Sequence, residues 1–239
     1  GTVQPYLNVA KRKYRLRVYN GSNARFYRLA FSNGQSFQVI GMEGGLLSAP
    51  VTVTSLTLAP AERADIIVNF SSIAVGSNVE LRNTLVGSTS SVYKIMRFNV
   101  TGTATDTSVV PSTLRTVTKF TRSQAVRTRN FTLSMSGGGM GGGMGGGGMW
   151  TINGLGFDPN RVDATPRLND IEIWKFTNQS NMDHPMHLHD VMFQILTING
   201  SAPPATHAGW KDTVVVPRMM GTVEIIMKFT DYTGKFPFH

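Results

Sequence analysis

Three of the five histidines fall within six residues, His184-Pro185-Met186-His187-Leu188-His189. In an extended strand, residues two apart point to the same side. His187 and His189 therefore share a face and can reach one metal ion. His184 lies three residues before His187, so its ring leaves by the opposite face. Pro185 removes a backbone donor and suits an edge or a bend. The spacing predicts a metal-binding ribbon serving two centres, one on each side. Imidazole suits copper, zinc, iron or nickel, and the spacing alone leaves these open. A fourth histidine, His239, is the last residue after Lys235-Phe236-Pro237-Phe238. It reads as a tag remnant, an ordinary terminus or a further ligand. His207, in a Pro-rich stretch, reads as a surface loop residue.

Methionine offers a second, softer donor. The run 136–149 is almost entirely Gly and Met, with Met140, Met144 and Met149 in it and Met135 beside it. Gly gives such a run no side chain to bury and a large entropy cost of ordering. It reads as a hairpin loop between Phe131-Thr132-Leu133 and Trp150-Thr151-Ile152. Either it is a tolerated low-complexity tip, or its thioethers capture Cu(I). Met182, Met186, Met219 and Met220 add to the soft-donor set. There is no Cys among the 239 residues, which excludes disulfides, iron–sulfur clusters and thiolate metal ligands within this chain.

The elements that must position these residues alternate with period two. Tyr14–Tyr19, Phe26–Phe31, Phe37–Ile40, Val51–Leu58, Arg63–Phe70, Val92–Val100, Ile171–Phe176, Met192–Ile198, Thr213–Val216 and Thr222–Phe229 each read as a strand. They are separated by Gly, Asn and Pro turns. That pattern predicts an all-β sandwich or barrel. A Thr/Ser-rich and then basic stretch reads as a linker over 111–129. It divides the chain into domains at 1–110 and 130–239. No run of 18 apolar residues occurs, so no membrane-spanning helix is expected. The 23 Lys+Arg against 14 Asp+Glu give a formal charge of +9. These charges are scattered, and the densest group, Lys11 to Arg17, alternates with Tyr14, Leu16 and Val18. It reads as the wet face of a strand, and no nucleic-acid partner is expected.

His184 to His189 resembles the HPxHxH motif of multicopper oxidases, the laccase and cuprous-oxidase family. Further segments resemble that family in order. Pro5–Val9, Lys13–Arg17 and Asn20–Arg25 are similar to the start of its second cupredoxin domain, and Ala59–Asp65 to that domain's PGERAD turn. Gly209–Val214 resembles its GWKDTV strand, and Phe229–Phe236 the approach to its HCH motif. The resemblance implies two cupredoxin-like Greek-key domains, the second carrying the copper ligands. It assigns His184 to a type 1 copper, His187 to a type 2 copper, and His189 and His239 to a type 3 pair. It implies one-electron oxidation of a phenolic or aromatic reductant, or of Cu(I), coupled to reduction of O2 to water. Met182 and Asp183 become candidates for the substrate rim, Asp183 equally for a turn cap, and Asp212 reads as a strand-end residue first and as an acceptor that orients a ligand second. The family's first-domain HxH pairs and its copper-binding Cys have no counterpart here. The chain is therefore expected to be part of a longer oxidase, inactive alone unless a complementary chain or segment supplies the rest. The alternatives are a metal-free cupredoxin scaffold and a copper-sequestering protein using the Met-rich loop. The resemblance also implies an exported location.

Overall fold

The computed structural model describes residues 2–136 and 149–239. Met140 and Met144 lie outside the described residues. The chain divides into two compact units, Gly1–Val117 and Thr118–His239. Both are built of strands, with only two single-turn 3-10 helices among the described residues.

The first unit contains β1 (Tyr6–Lys11), β2 (Lys13–Tyr19), β3 (Tyr27–Phe31), β4 (Phe37–Met42), β5 (Gly45–Val53), β6 (Ser55–Leu58), β7 (Arg63–Asn69), β8 (Asn78–Asn83) and β9 (Lys94–Thr103). They form a four-stranded sheet, β2-β7-β4-β5, and a five-stranded sheet, β1-β9-β8-β3-β6. Alternation explains why they pack face to face. Ala64, Ile66 and Val68 of β7 turn inward, while Asp65 turns outward to pair with Arg15 and Arg17 of β2. Between the sheets Phe31, Phe37, Phe70 and Phe98 meet mostly edge-on or tilted.

The second unit contains β10 (Arg127–Ser136), β11 (Met149–Ile152), β12 (Ile171–Asn178), β13 (His184–His187), β14 (Gln194–Ile198), β15 (Thr213–Val216) and β16 (Gly221–Lys228). One sheet runs β11-β10-β12-β16-β14; the other is the pair β13-β15. Phe131, Trp174, Phe176, Met186, Leu188, Phe193, Val223, Ile225 and Met227 form its core. β10 and β11 pair antiparallel, Ser136 opposite Met149, so the Gly/Met run does join the two arms of a hairpin.

Two expectations change. The alternation over Val51–Leu58 is not one strand. β5 ends at Val53 in one sheet and β6 starts at Ser55 in the other, because alternation cannot tell which sheet a strand joins. β10 begins at Arg127, inside the stretch read as a linker, because Arg127 already pairs with Glu172 on β12.

The two units repeat one local device. After β2, Asn20 Oδ1 accepts from Ser22 N and Oγ, while its Nδ2 donates to Arg25 O and Leu58 O. At the end of β12, Asn178 Oδ1 accepts from Ser180 N and Oγ, and its Nδ2 donates to Met182 O and Val216 O. Opposite these strand ends, Leu58 pairs with Tyr27 and Val216 pairs with His184. His184 therefore stands where the first unit has Tyr27.

Candidate metal centre

Strand β13 sorts the motif by parity. Met186 and Leu188 are buried in the core of the second unit. His184 belongs to the same row and sits at its end. Its ring meets Trp150 edge-on, with centroids 4.3 Å apart. Its Nε2 lies 2.9 Å from Ser180 Oγ. When the single Ser180 proton goes to Asn178 Oδ1, Oγ accepts Nε2–H and leaves the His184 Nδ1 lone pair open. Burial holds the His184 pKa below its ordinary value, against the pull of the Asp183 charge. The ring therefore favours the neutral form that binds metal.

His187 and His189 take the other face, their ring centroids 4.9 Å apart. The carbonyl of Asp212 can only accept, so its 3.1 Å contact with His187 Nδ1 fixes Nδ1–H and leaves Nε2 free. Thr213 Oγ1 lies 3.0 Å from the same Nδ1 and donates to Asp212 Oδ1. Asp212 is thus more than a strand-end residue. The antiparallel partnership of β13 with β15 sets His187 opposite Thr213 and brings the Asp212 carbonyl to the ring.

His239 arrives by strand pairing. His187 N donates to His239 O at 2.7 Å, and His239 N donates to His187 O at 2.9 Å. Residues paired this way across antiparallel strands put their side chains on one face. Phe238 faces the other way and anchors the segment in the core against Phe131 and Trp174, at 5.2 and 5.1 Å between centroids. Sequence reasoning missed Phe238, although the alternation Phe236-Pro237-Phe238-His239 carried the signal. The result is three imidazoles on one face, with His189 Nε2 and His239 Nε2 3.2 Å apart. The His239 pKa is lowered, first by loss of water around the ring and then by His187 and His189.

Two nitrogens each about 2.0 Å from a common ion are separated by roughly this distance, so this pair fits an imidazole-ligated metal. Among the described residues, no group of three or more His, Cys, Asp or Glu side chains is already arranged to hold one ion. A thiolate site does not fit, because the chain has no Cys.

The remaining sequence candidates are placed as follows. Asp183 acts as a tie: its Oδ1 accepts from Arg218 N at 2.9 Å and faces Arg218 Nε at 3.4 Å. Met182 is exposed beside it, and Met149 is exposed at the start of β11. Met186 leaves the soft-donor set. It is 3% exposed, because its place in β13 points it into the core. His207 lies in a 3-10 turn with the Thr206 hydroxyl at its Nδ1. A cavity of about 200 Å³ opens beside His184 and His239, over Leu133, Trp150, Ile152 and Met186. A larger one of about 570 Å³, beside Trp174, Phe229 and Phe236, contacts none of the histidines.

Among solved structures, the multicopper oxidase McoA of Aquifex aeolicus is 34% identical, with a TM-score of 0.80 over 96% of this chain and 51% of that one. The laccase-like multi-copper oxidase CueO of Ochrobactrum sp. is 29% identical, with a TM-score of 0.83 over 99% and 54%. The architecture is therefore that of cupredoxin-like domains. Family models for multicopper oxidase match residues 110–239 and 5–87. A laccase of Bacillus subtilis is 34% identical over the whole chain and 50% of its own length. The multicopper oxidase mco of Staphylococcus haemolyticus is 32% identical over the whole chain and 47% of its own. The cell division protein FtsP of Escherichia coli is 31% identical over the whole chain and 49% of its own. The chain belongs to the multicopper oxidase family, whose cofactor is copper, and it spans about half the length of the curated relatives it matches.

Proposed function

We propose that this chain is the copper-bearing part of a laccase-type multicopper oxidase that oxidises phenolic or aromatic reductants, or Cu(I), and reduces O2 to water. The observation that carries this reading is the sorting of four imidazoles on β13, just beyond it and on the segment paired with it: His184 on one side, His187, His189 and His239 on the other. In this reading His184 holds a type 1 copper, His187 a type 2 copper, and His189 and His239 a type 3 pair. Copper, when bound, supplies the one-electron steps and the site of O2 reduction.

The chain's own residues have identifiable tasks. The Asp212 carbonyl and Thr213 hydroxyl keep the His187 proton on Nδ1, so its outward nitrogen is always the donor. Ser180 fixes the His184 ring, and Trp150 covers one of its edges. Phe238 pins the segment that carries His239. His184, without Cys, cannot make a two-His, one-Cys site. Copper added to this chain alone is expected to bind without the strong visible band of a copper–thiolate and without oxidase turnover. Within a polypeptide of the relatives' full length, the band, phenol oxidation and O2 consumption should all appear. An exported location accompanies this reading. In the described residues no helix is long and apolar enough to cross a membrane.

A second reading is a cupredoxin scaffold without turnover; the match to relatives named cell division protein FtsP, a name that is not an oxidase's, supports weighing it. Copper uptake separates the two. Electron paramagnetic resonance and native mass spectrometry should show bound copper that His187→Ala or His189→Ala removes. A chain that takes up no copper, and a full-length form that consumes no O2, would leave the scaffold.

A further inference from the structure

The larger cavity of the second unit, about 570 Å³, opens away from the histidines. Trp174 and Leu188 line it and are buried, and Phe229 and Phe238 are half-buried beside them. Its mouth carries Phe157, Tyr232 and Phe236, which are 72%, 78% and 41% exposed. A contiguous group of exposed aromatic rings rimmed by polar residues marks a binding surface. The volume lies within the range of sites for small organic molecules. Two segments, 157–168 and 229–238, form most of the walls and are tied together. Asn169 N donates to Phe229 O, and Phe229 N donates to Asp170 O. Lys235 Nζ donates to Pro159 O and Asn160 O, each at 3.1 Å. The walls are therefore in place before a ligand arrives.

What the lining still has to offer decides the chemistry of that ligand. Lys235 already serves two carbonyls. Arg161 donates to both oxygens of Asp163 and to Gly156 O. The Trp174 N–H goes to Glu172 Oε2 at 3.0 Å, so the indole has its ring and no donor left for the cavity. Asp158 Oδ1 accepts from Asn160 N. Asp190 differs from all of these. Among the described residues its carboxylate has no hydrogen-bond or ion-pair partner, and the nearby Asp231 charge acts against it. Aromatic ring faces and a carboxylate without a partner share one preference, a positive charge that can donate hydrogen bonds. An anion would meet Asp190 with its cationic neighbours already engaged.

We propose that this cavity binds a protonated aryl-alkyl amine, its ring among Trp174, Phe229 and Phe236 and its ammonium on Asp190. The site uses no copper-ligating histidine, so it stands or falls separately from the oxidase reading. The copper-free chain tests it at neutral pH, with phenylethylammonium as the probe and phenylethanol and phenylpropionate as neutral and anionic counterparts. Fluorescence of Trp174 in a Trp150→Phe, Trp210→Phe background, and the ring NMR signals of Phe229 and Phe236, should change saturably. The ammonium should bind at least about tenfold tighter than the alcohol, the least expected of a hydrogen bond to a charged group, and the propionate should bind weakest. Asp190→Asn should remove the advantage of the ammonium while the alcohol still binds, which shows that the cavity is intact. Phe236→Ala, on the exposed rim, should weaken the ammonium and the alcohol alike without lowering the melting temperature. A parent chain that binds none of the three, or all three equally, overturns the proposal without any variant. So does an ammonium preference that survives Asp190→Asn, or a set of NMR shifts centred on Trp150 and His184 at the smaller cavity.

Discussion

The two units are the same frame with different cargo. Each ends a strand, β2 in the first and β12 in the second, in an Asn-x-Ser turn whose asparagine ties three backbone segments together. In the first unit the strand opposite that turn carries Tyr27, Leu29 and Phe31, and the unit contains no histidine. In the second it carries His184 and His187, with His189 two residues beyond it and His239 paired to His187. The first unit also closes its turn with Glu62, a buried carboxylate accepting from Ala59 N. The second leaves Met219 and Met220 in solvent. The frame therefore does not depend on the chemistry, and the chemistry is read at positions the frame leaves free.

The largest break in this parallel should come from the cores. Phe70→Ala and Phe176→Ala each remove a fully buried ring, which costs about 3–5 kcal/mol. Each should lower the denaturant midpoint of its own unit, followed by the single Trp174 probe in a Trp150→Phe, Trp210→Phe background for the second unit and by hydrogen exchange for the first. A common shift of both units would show that they unfold as one body. Next come the paired asparagines. Asn20→Ala and Asn178→Ala each strand several buried donors and acceptors, at about 2–3 kcal/mol. The two should cost similar stability, but only Asn178→Ala should alter copper binding, because it frees Ser180 and Met182 beside His184.

A smaller effect isolates ligand orientation. Thr213→Val removes the hydroxyl at His187 Nδ1, and copper affinity should fall about tenfold, the size usual for such outer partners. Thermal melting should move little, since the Asp212 carbonyl still accepts from the ring. The smallest effect is in pH. His184 and His239 have pKa values held below the ordinary 6.5, so their neutral forms are favoured in the folded unit. Their contribution to stability is present above pH 6.5 and is lost as the pH falls towards the folded values. The first unit has no histidine to titrate there. Between pH 7 and 5 the second unit should lose stability relative to the first, and His184 and His239 ring signals should titrate below 6.5 by NMR.

Much of the site was legible because strand parity is a local rule. The spacing of His184, His187 and His189 was enough to put the first ring on one side and the other two on the opposite side, and the rings are found that way. The same rule identified most strands, because inward Val, Ile and Phe alternate with outward Arg and Thr. It missed β1, where only Val9 is fully buried, and β8, where Glu80 and Arg82 alternate with Val79 and Leu81 and the charges hide the apolar face. It also counted Met186 as an open donor, although its own parity points it inward.

Which residues could ligate a metal, and on which side of the ribbon each stands, was determined by the sequence alone, since residue type and a two-residue repeat are local properties. Only the tertiary structure decided what meets each ring. The Asp212 carbonyl, Ser180, Trp150 and His239 reach the histidines through pairings across 25, 4, 34 and 50 residues, and no local rule specifies them. Those pairings form because burying Phe238, Met186 and Leu188 in one core pulls distant strands into register, and the imidazoles are carried with them.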